Sequence, residues 1–331
     1  MIEMNKKAVV LLSGGLDSIL AICIMKEQGI EVEAINFQTI FGCCKDDSAR
    51  IAYDLGVGFT SLKVGDDYLK VIENPKHGYG RGINPCVDCR GYMFDMAKTH
   101  MEKIGASFLV SGEVLGQRPM SQKKADFFKI EKDTGLQGLI VRPLSAKLLE
   151  PTLPEKAGIL DREKLYDVQG RSRKGLLKMA KQYGVTDPPD PSSGCALTSP
   201  AFAKKVRDIF DHQDDYERWE FEVLRTGRHF RLSEKTRIIM GRDENENEYL
   251  NYLHPEGTAL LTPINFGGST SVLVGEINAD RLAEAGEVIM RYGKAPAGAP
   301  GEIQVEYDGK AEIIYAHKAV TDAVLEEIKI V

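Results

Sequence analysis

The stretch AVVLLSGGLDSILAICI, residues 8–24, decides the fold. Residues 7–12, KAVVLL, are a short Val-rich apolar run of the kind that makes a buried parallel strand. SGGLDS follows, and the apolar spacing of ILAICIMKEQG then predicts a helix ending at Gly29. Two glycines, Gly14 and Gly15, let the backbone turn tightly and approach a ligand closely. The helix behind them offers free N–H groups and the positive end of its dipole, which suits phosphate. Ser13 and Ser18 can add hydrogen bonds. No Lys is present, so this is not the G-x-x-x-x-G-K-[ST] loop. Asp17 would repel phosphate unless a bound Mg²⁺ reversed the local sign. The competing reading is a Gly-rich turn that only caps a helix.

Outward from this loop the pattern repeats. EVEAINFQT is a second strand, DDSARIAYDLGV a helix, and TSLKVG a third strand. CVDCRGYMFDMAKTHMEKIGA has helical spacing, and SFLVSGE is a fourth strand. Alternating strands and helices imply an α/β fold with a parallel sheet. Binding residues then belong at the carboxyl ends of the strands, where SGGLDS, NFQT and SGEVLGQRPMSQ fall. LDREKLYDVQGRSRKGLLKMAKQYG, from residue 160, reads as helical and basic; VTDPPDPSSGCALTSPAF reads as a loop carrying Cys195. Beyond about residue 212, RHFRLS and TRIIMGR make a hairpin and ENENEYLNYL a helix. TALLTPI, STSVLVGE, GEIQVEYDG and KAEIIYAH read as further strands. The expected division is 1–210, with 145–210 its helical and Cys195-bearing part, followed by a smaller α+β domain at 211–331.

The chain has 331 residues, 43% hydrophobic and 28% charged, which fits about two globular domains. No apolar run is long enough to span a bilayer, and AVVLL is too short for a signal-peptide core. The expectation is a cytoplasmic protein with no membrane partner. Six cysteines in a chain of this length do not make a disulfide scaffold. A net charge of −6 argues mildly against a nucleic-acid partner, though a local basic patch is enough for one.

SGGLDS, in register with its strand and helix, resembles the pyrophosphatase (PP) loop of the adenylating ATP hydrolases. That resemblance implies ATP and Mg²⁺, cleavage between the α and β phosphates, and transfer of AMP to a substrate oxygen. It assigns nucleotide contacts to Leu12, Ser13, Gly14, Gly15, Leu16, Asp17 and Ser18 in the loop. After the second strand it assigns Asn36, Phe37 and Gln38, and after the fourth Ser111 and Gly112. Arg118, Ser121 and Arg142 are candidates for phosphate, since a guanidinium fork suits its geometry; a solvated surface residue is the commoner fate of any Arg. Many relatives have Thr-Gly-His where this chain has SGE, so Glu113 is a departure.

The segment GINPCVDCRGYM, residues 82–93, sets Cys86 and Cys89 one helical turn apart. By residue type alone the pair could be a disulfide, half of a zinc site, a redox pair or ligands of an iron–sulfur cluster. NPCVDC resembles the Asn-Pro-x-x-x-Cys segment of the tRNA 2-thiouridylases. There Cys89 matches the catalytic Cys, and Cys195 in SGCALT matches the second, with Asp17 at the loop. Relatives with Cys at the position of Cys86 are associated with a [4Fe–4S] cluster. The resemblance thus implies a cluster held by Cys86, Cys89 and Cys195, with persulfide chemistry at Cys89 and Cys195 second and structural zinc third. Cys23 reads as a small core residue; Cys43 and Cys44 read as packing near the nucleotide.

GRSRKGLLKMAKQYG supplies Arg171, Arg173 and Lys174 as a basic island. GRHFRL…IIMGRDENENEYL resembles the RNA-binding domain at the carboxyl end of fibronectin-binding-type ribosome quality control (NFACT) proteins. It implies tRNA or structured RNA as partner, with Arg228, His229, Arg231 and Arg242 as contacts. On charge alone an exposed helix face and an ordinary hairpin would be the reading. The reading that joins these pieces is an AMP-forming tRNA sulfurtransferase acting on uridine or cytidine. Its sulfur comes from sulfide or a persulfide-carrying protein, and a homodimer is compatible with it. An amide-forming ligase on the same ATP fold and a non-enzymatic RNA-binding module are the rivals.

Overall fold

The computed structural model describes residues 4–42, 47–190, 194–294 and 298–331. It divides into two compact units, Met1–Thr198 and Ser199–Val331. The 210/211 boundary drawn from composition falls near the end of a helix, α8 (Pro200–His212), that belongs to the second unit. The reason is local packing. Asp208 of this helix pairs with Arg231 at 2.5 Å, and Lys205 donates to the Leu224 carbonyl at 2.9 Å.

In the first unit a parallel sheet has the order β3-β2-β1-β4-β5: Gly58–Lys63, Glu31–Gln38, Lys7–Leu11, Phe108–Ser111 and Ile140–Val141. The register brings the strand ends together, with Leu11 opposite both Ile35 and Ser111. The α/β expectation therefore holds, and the three expected binding segments leave the same edge of the sheet. Helices α1 (Leu16–Glu27), α2 (Ser48–Asp54), α3 (Asp67–Glu73), α4 (Cys86–Lys103) and α5 (Lys124–Thr134) follow in chain order. After α6 (Leu153–Lys156) comes α7 (Lys174–Gln182). Helix α1 is apolar nearly all round, so it is buried rather than amphipathic. Cys23 sits in its core cluster with Ile19, Ile22 and Val110, as expected of a small apolar residue.

The long helix expected from residue 160 is not formed. Only Lys174–Gln182 is α-helical; Arg162–Lys164 is a 3₁₀ turn. Between them the backbone bonds elsewhere: Tyr166 N–H to Pro143, Val168 to Leu144, and Gly170 to Leu115, at 2.8–2.9 Å. Gly170 has φ of +80°, which ends any helical run.

The second unit is α+β. Its antiparallel sheet has the order β11-β10-β8-β9-β7-β6. These are Lys310–Ala316, Gly301–Tyr307, Ala259–Pro263, Ser271–Gly275, Thr236–Met240 and Arg228–Ser233. The expected hairpin of β6 and β7 is present, with Phe230 opposite Ile238. One core packs the sheet against α11 (Ala279–Tyr292), through Leu282, Val288 and Ile289. A second gathers Ile239 and Val272 with Leu250 of α10 (Glu244–Leu253), and Trp219 of α9 (Arg218–Glu222) packs against it. None of the described helices is long and apolar enough to cross a membrane.

Candidate functional site

The SGGLDS loop is built as the sequence suggests. Gly14 has φ of +73°, a conformation Gly adopts without strain, and Gly15 is the N-cap of α1. The Ser18 hydroxyl donates to the Gly15 carbonyl at 2.7 Å and lies 3.5 Å from that of Ser13. Leu12 and Leu16 are buried, so only their backbone can meet a ligand. Gly112 is fixed by close approach: a Cβ there would sit 2.5 Å from the backbone of Asp17. The end of β4 thus packs directly on the first turn of α1.

Asp17 points into this junction, where its Oδ2 accepts from Gln117 Nε2 at 2.9 Å. Burial pushes its carboxyl up, and the Gln117 bond and the charges of Arg173 and Arg118 pull partly back. Arg173 stands within electrostatic reach of the loop, and it donates to the Pro189 carbonyl at 2.7 Å. Asn36 is buried, and its amide ties the Leu12 carbonyl (3.0 Å) to the Ser48 hydroxyl (2.9 Å). That strap holds β2 against the loop. Ser111 is also buried, and its hydroxyl accepts from the Glu113 N–H at 3.1 Å. Phe37 packs on a core cluster while Gln38 is exposed. Ser121 is buried; Arg118 is exposed.

Two residues of the sequence reading take different parts. Arg142 is 3% exposed and bonds Glu113 at 3.1 Å and Glu131 at 2.5 Å, with its guanidinium over the Phe127 ring at 3.9 Å. It is an internal ion partner, unable to reach a phosphate from there. Glu113, 2% exposed, also takes Arg90 of α4 at 2.9 Å. Burial alone would raise the Glu113 carboxyl; the Arg90 and Arg142 guanidiniums outweigh it and hold the carboxyl low. The departure from His is therefore a buried hub that joins β4, α4 and β5. Its partners lie 23 and 29 residues away, beyond the reach of local sequence patterns.

Arg90 adjoins the thiols. Cys86 opens α4, and Cys89 follows within its first turn. The Cys89 sulfur lies 3.0 Å from the hydroxyl of Tyr68 on α3. Tyr68 is buried between the rings of Tyr92 (5.2 Å) and Phe41 (6.4 Å). The Cys195 sulfur faces the Phe41 carbonyl at 3.7 Å. The turn behind it is pinned by Leu197 O, which accepts from Ile83 N at 3.0 Å. Burial pushes the Tyr68 phenol well up, and the charge that Cys89, Cys195 and Cys86 would carry as thiolates adds to the shift. Burial pushes the Cys86 and Cys89 thiols up, so the resting pair is protonated. Tyr68, in GDDYLKVIEN, gave no signal in the sequence.

Cys89 and Cys195 are joined through the ring contact of Tyr68 with Phe41, 6.4 Å between centroids. Among the described residues no group of three or more His, Cys, Asp or Glu side chains is arranged to hold a metal ion. The Cys89 sulfur is turned to Tyr68 and that of Cys195 to a carbonyl. Cys43 and Cys44 lie outside the described residues.

In the second unit the basic candidates divide. His229 is buried, with Nε2 2.8 Å from the Thr226 carbonyl, and burial pushes its imidazole well down. It cannot contact RNA from there. Arg231 is held by Asp208, and Arg242 forms a close bidentate pair with Glu246. Arg228 lies over the Tyr292 ring at 4.8 Å. In the first unit Arg171 and Lys174 are exposed.

Comparisons with known proteins meet both resemblances. Residues 6–152 match the family model described as the tRNA methyl transferase HUP domain, and residues 227–328 match the NFACT protein RNA binding domain. The chain is 34% identical over 127 residues to the tRNA-specific 2-thiouridylase MnmA of Clostridium acetobutylicum, covering 33% of this chain and 36% of that one. It is 25% identical over 226 residues to the MnmA of Caldicellulosiruptor saccharolyticus, covering 61% of this chain and 59% of that one. The chain thus spans about a third of the first relative's length. Among solved structures, the carboxyl-terminal part of the fibronectin/fibrinogen-binding protein from Streptococcus suis aligns at 12% identity with a TM-score of 0.27. That alignment covers 47% of this chain and 74% of that one.

Proposed function

We propose that this chain is an ATP-dependent tRNA thiolase. It adenylates a carbonyl oxygen of uridine or cytidine and replaces that oxygen with sulfur. The observation that carries the reading is the segment 117–120: Gln117 bonds Asp17 at 2.9 Å, and Pro119 and Met120 share a cavity wall with Cys86. One short segment thus touches both the phosphate loop and the neighbourhood of the thiols, as activation at the first and sulfur transfer at the second require.

The free N–H groups at the start of α1 receive phosphate oxygens, and Gly14 and Gly112 keep side chains out of the way. Asp17, steadied by Gln117, is the carboxylate suited to a Mg²⁺ ion, whose charge would offset that of the departing pyrophosphate. Arg118 and Arg173 add positive charge beside it. The base carbonyl oxygen attacks the α-phosphorus, the α–β bond breaks, and pyrophosphate leaves.

For the sulfur step the reading uses Cys89 and Cys195. The outer sulfur of a Cys89 persulfide attacks the activated carbon, and AMP leaves with the oxygen. The Cys195 thiolate then attacks the Cys89 sulfur, which gives a Cys89–Cys195 disulfide and leaves the electron pair on the sulfur of the base. An external thiol must reduce the disulfide before the next turnover. A [4Fe–4S] cluster, which Cys86, Cys89 and Cys195 would hold, is not carried into any step, since among the described residues no three such side chains are arranged for a metal ion. RNA binding belongs in this reading to residues 227–328, with tRNA as the partner.

The test is a reaction of the full chain with ATP, Mg²⁺, unmodified tRNA and a persulfide donor. AMP, pyrophosphate and thiolated nucleoside are expected in equal amounts. Release of ADP and phosphate, or AMP formation with no sulfur in the tRNA, would refute it.

A further inference from the structure

Cys86 differs from the other two thiols in what it faces. It forms part of the wall of a cavity of about 140 Å³, together with His77, Met120, Lys123, Asp126 and Lys129. Cys89 is absent from that wall, and its sulfur is turned to Tyr68. The two cysteines stand three residues apart at the start of one helix, where side chains are neighbours at about 5–6 Å between Cβ atoms. Cys86 therefore lies between the cavity and the thiol that the sulfur step uses.

The cavity is small and polar, with room for a ligand of a few heavy atoms beside Cys86. Its charge limits the chemistry. Lys123 and Lys129 supply positive charge, and Asp126, 4.0 Å from Lys129, offsets part of it. A net positive wall around a thiol favours a reaction that releases a small thiolate.

We propose that this cavity admits a low-molecular-weight persulfide and that Cys86 accepts its sulfur and passes it to Cys89. The inference rests on the thiolation reading above. In the first step the Cys86 thiolate attacks the outer sulfur of R–S–SH. The S–S bond breaks, and RS⁻ leaves with the electron pair and takes up a proton. In the second step the Cys89 thiolate attacks the outer sulfur of the Cys86 persulfide, and Cys86 returns to its thiolate. The transferred sulfur keeps its oxidation state, so no oxidant is consumed. Hydrosulfide cannot replace the persulfide, because joining it to a thiol requires removal of two electrons.

The experiment loads the full chain with a small persulfide such as cysteine persulfide, without ATP or tRNA. Samples are quenched with iodoacetamide at intervals and mapped by mass spectrometry. In the wild type the added sulfur is expected on Cys86 first and on Cys89 later. Cys89→Ser should hold it on Cys86, and Cys86→Ser should slow loading of Cys89 by roughly tenfold or more. Lys123→Met combined with Lys129→Met should slow loading about threefold while uncharged iodoacetamide still alkylates Cys86 at the wild-type rate. Equal loading of Cys89 with and without Cys86 overturns the relay. So does anaerobic assembly of an iron–sulfur cluster that requires Cys86. A chain that loads in this order but never thiolates tRNA refutes the functional reading and leaves the relay standing. A chain that thiolates tRNA while Cys86 stays unloaded refutes the relay alone.

Discussion

The hydroxyl of Tyr68 stands 3.0 Å from the sulfur of Cys89, on a phenol that is 2% exposed. A buried tyrosine hydroxyl needs a partner, and a neutral thiol sulfur is a weak one. The same contact becomes a charge-assisted hydrogen bond whenever Cys89 carries negative charge. It therefore favours the charged states of sulfur transfer over the resting thiol. Tyr68→Phe keeps the ring between Phe41 and Tyr92 and should change stability by about 1 kcal/mol or less. Thiolated nucleoside formed in a single turnover should fall about tenfold, with pyrophosphate release within about twofold of wild type. Equal loss in both steps would reduce Tyr68 to packing.

Glu113 should matter to stability more than to chemistry. Glu113→Gln leaves Arg90 and Arg142 without their shared carboxylate inside the protein. Removing one partner of a buried ion pair costs about 3–5 kcal/mol, so urea denaturation should show a loss of that size in the first unit. The pH dependence follows from the lowered carboxyl. Its ordinary value is 4.5, and the folded value lies below it. The unfolded chain therefore binds the proton first as pH falls. The contribution is complete above 4.5 and is lost as pH drops through the folded value. Wild type should lose stability across that acid window, and the variant should lose less.

What the sequence made legible follows from how local each signal is. KAVVLL, SGGLDS and the apolar helix are contiguous, so strand, turn and helix could be read together and stand as read. The β6–β7 hairpin and α10 were legible for the same reason. Glu113 was noticed only as a departure, because its two Arg partners come from α4 and β5. Tyr68 and the Cys86 cavity depend on segments that only the fold brings together. His229 and Arg231 looked like basic surface because charge shows in a sequence and burial does not. One is enclosed by its own unit, and the other is neutralised by Asp208.

Lys205 gives the second unit a pH signature of its own. Burial pushes its ammonium from 10.5 down to about 8, and the nearby Arg242 adds to the shift. Between these values the unfolded chain holds a proton that the folded chain has released. Stability should therefore rise with pH across that window and be lowest below pH 8. Lys205 is partly open to solvent, so the gain should be about 1 kcal/mol after allowance for screening. Lys205→Met should flatten the rise in urea denaturation followed from pH 7.5 to 10, compared with wild type at each pH. A profile unchanged by the substitution would show that Lys205 is charged in the folded state throughout.

Among the basic residues, exposure predicts which ones touch tRNA. Arg171→Ala and Lys174→Ala should each weaken binding by a similar factor for every tRNA sequence. Each should also reduce the slope of log affinity against log salt by about 1. His229→Gln should leave that slope unchanged while lowering stability, because its ring is enclosed and bonded to Thr226. Filter binding across a salt series separates the two effects. A reduced slope for His229→Gln would mean that the enclosed ring is reached by RNA after all.

Asp17 is the residue on which the adenylation half depends. Its carboxylate is placed by one side-chain bond, from Gln117, and by packing of β4 on the first turn of α1. Asp17→Asn keeps the shape and removes the charge, so pyrophosphate release should fall by about 10²–10³-fold, the range seen when a charge-stabilising group is lost. Gln117→Ala keeps the charge and loosens its placement, so a loss of about tenfold is expected, partly recovered by raising Mg²⁺ if the carboxylate holds that ion. Loading of persulfide onto Cys86 and Cys89 should be unaffected in both variants, because that chemistry needs no nucleotide. Pyrophosphate release that survives Asp17→Asn would remove Asp17 from the metal site and with it the AMP-forming step as drawn.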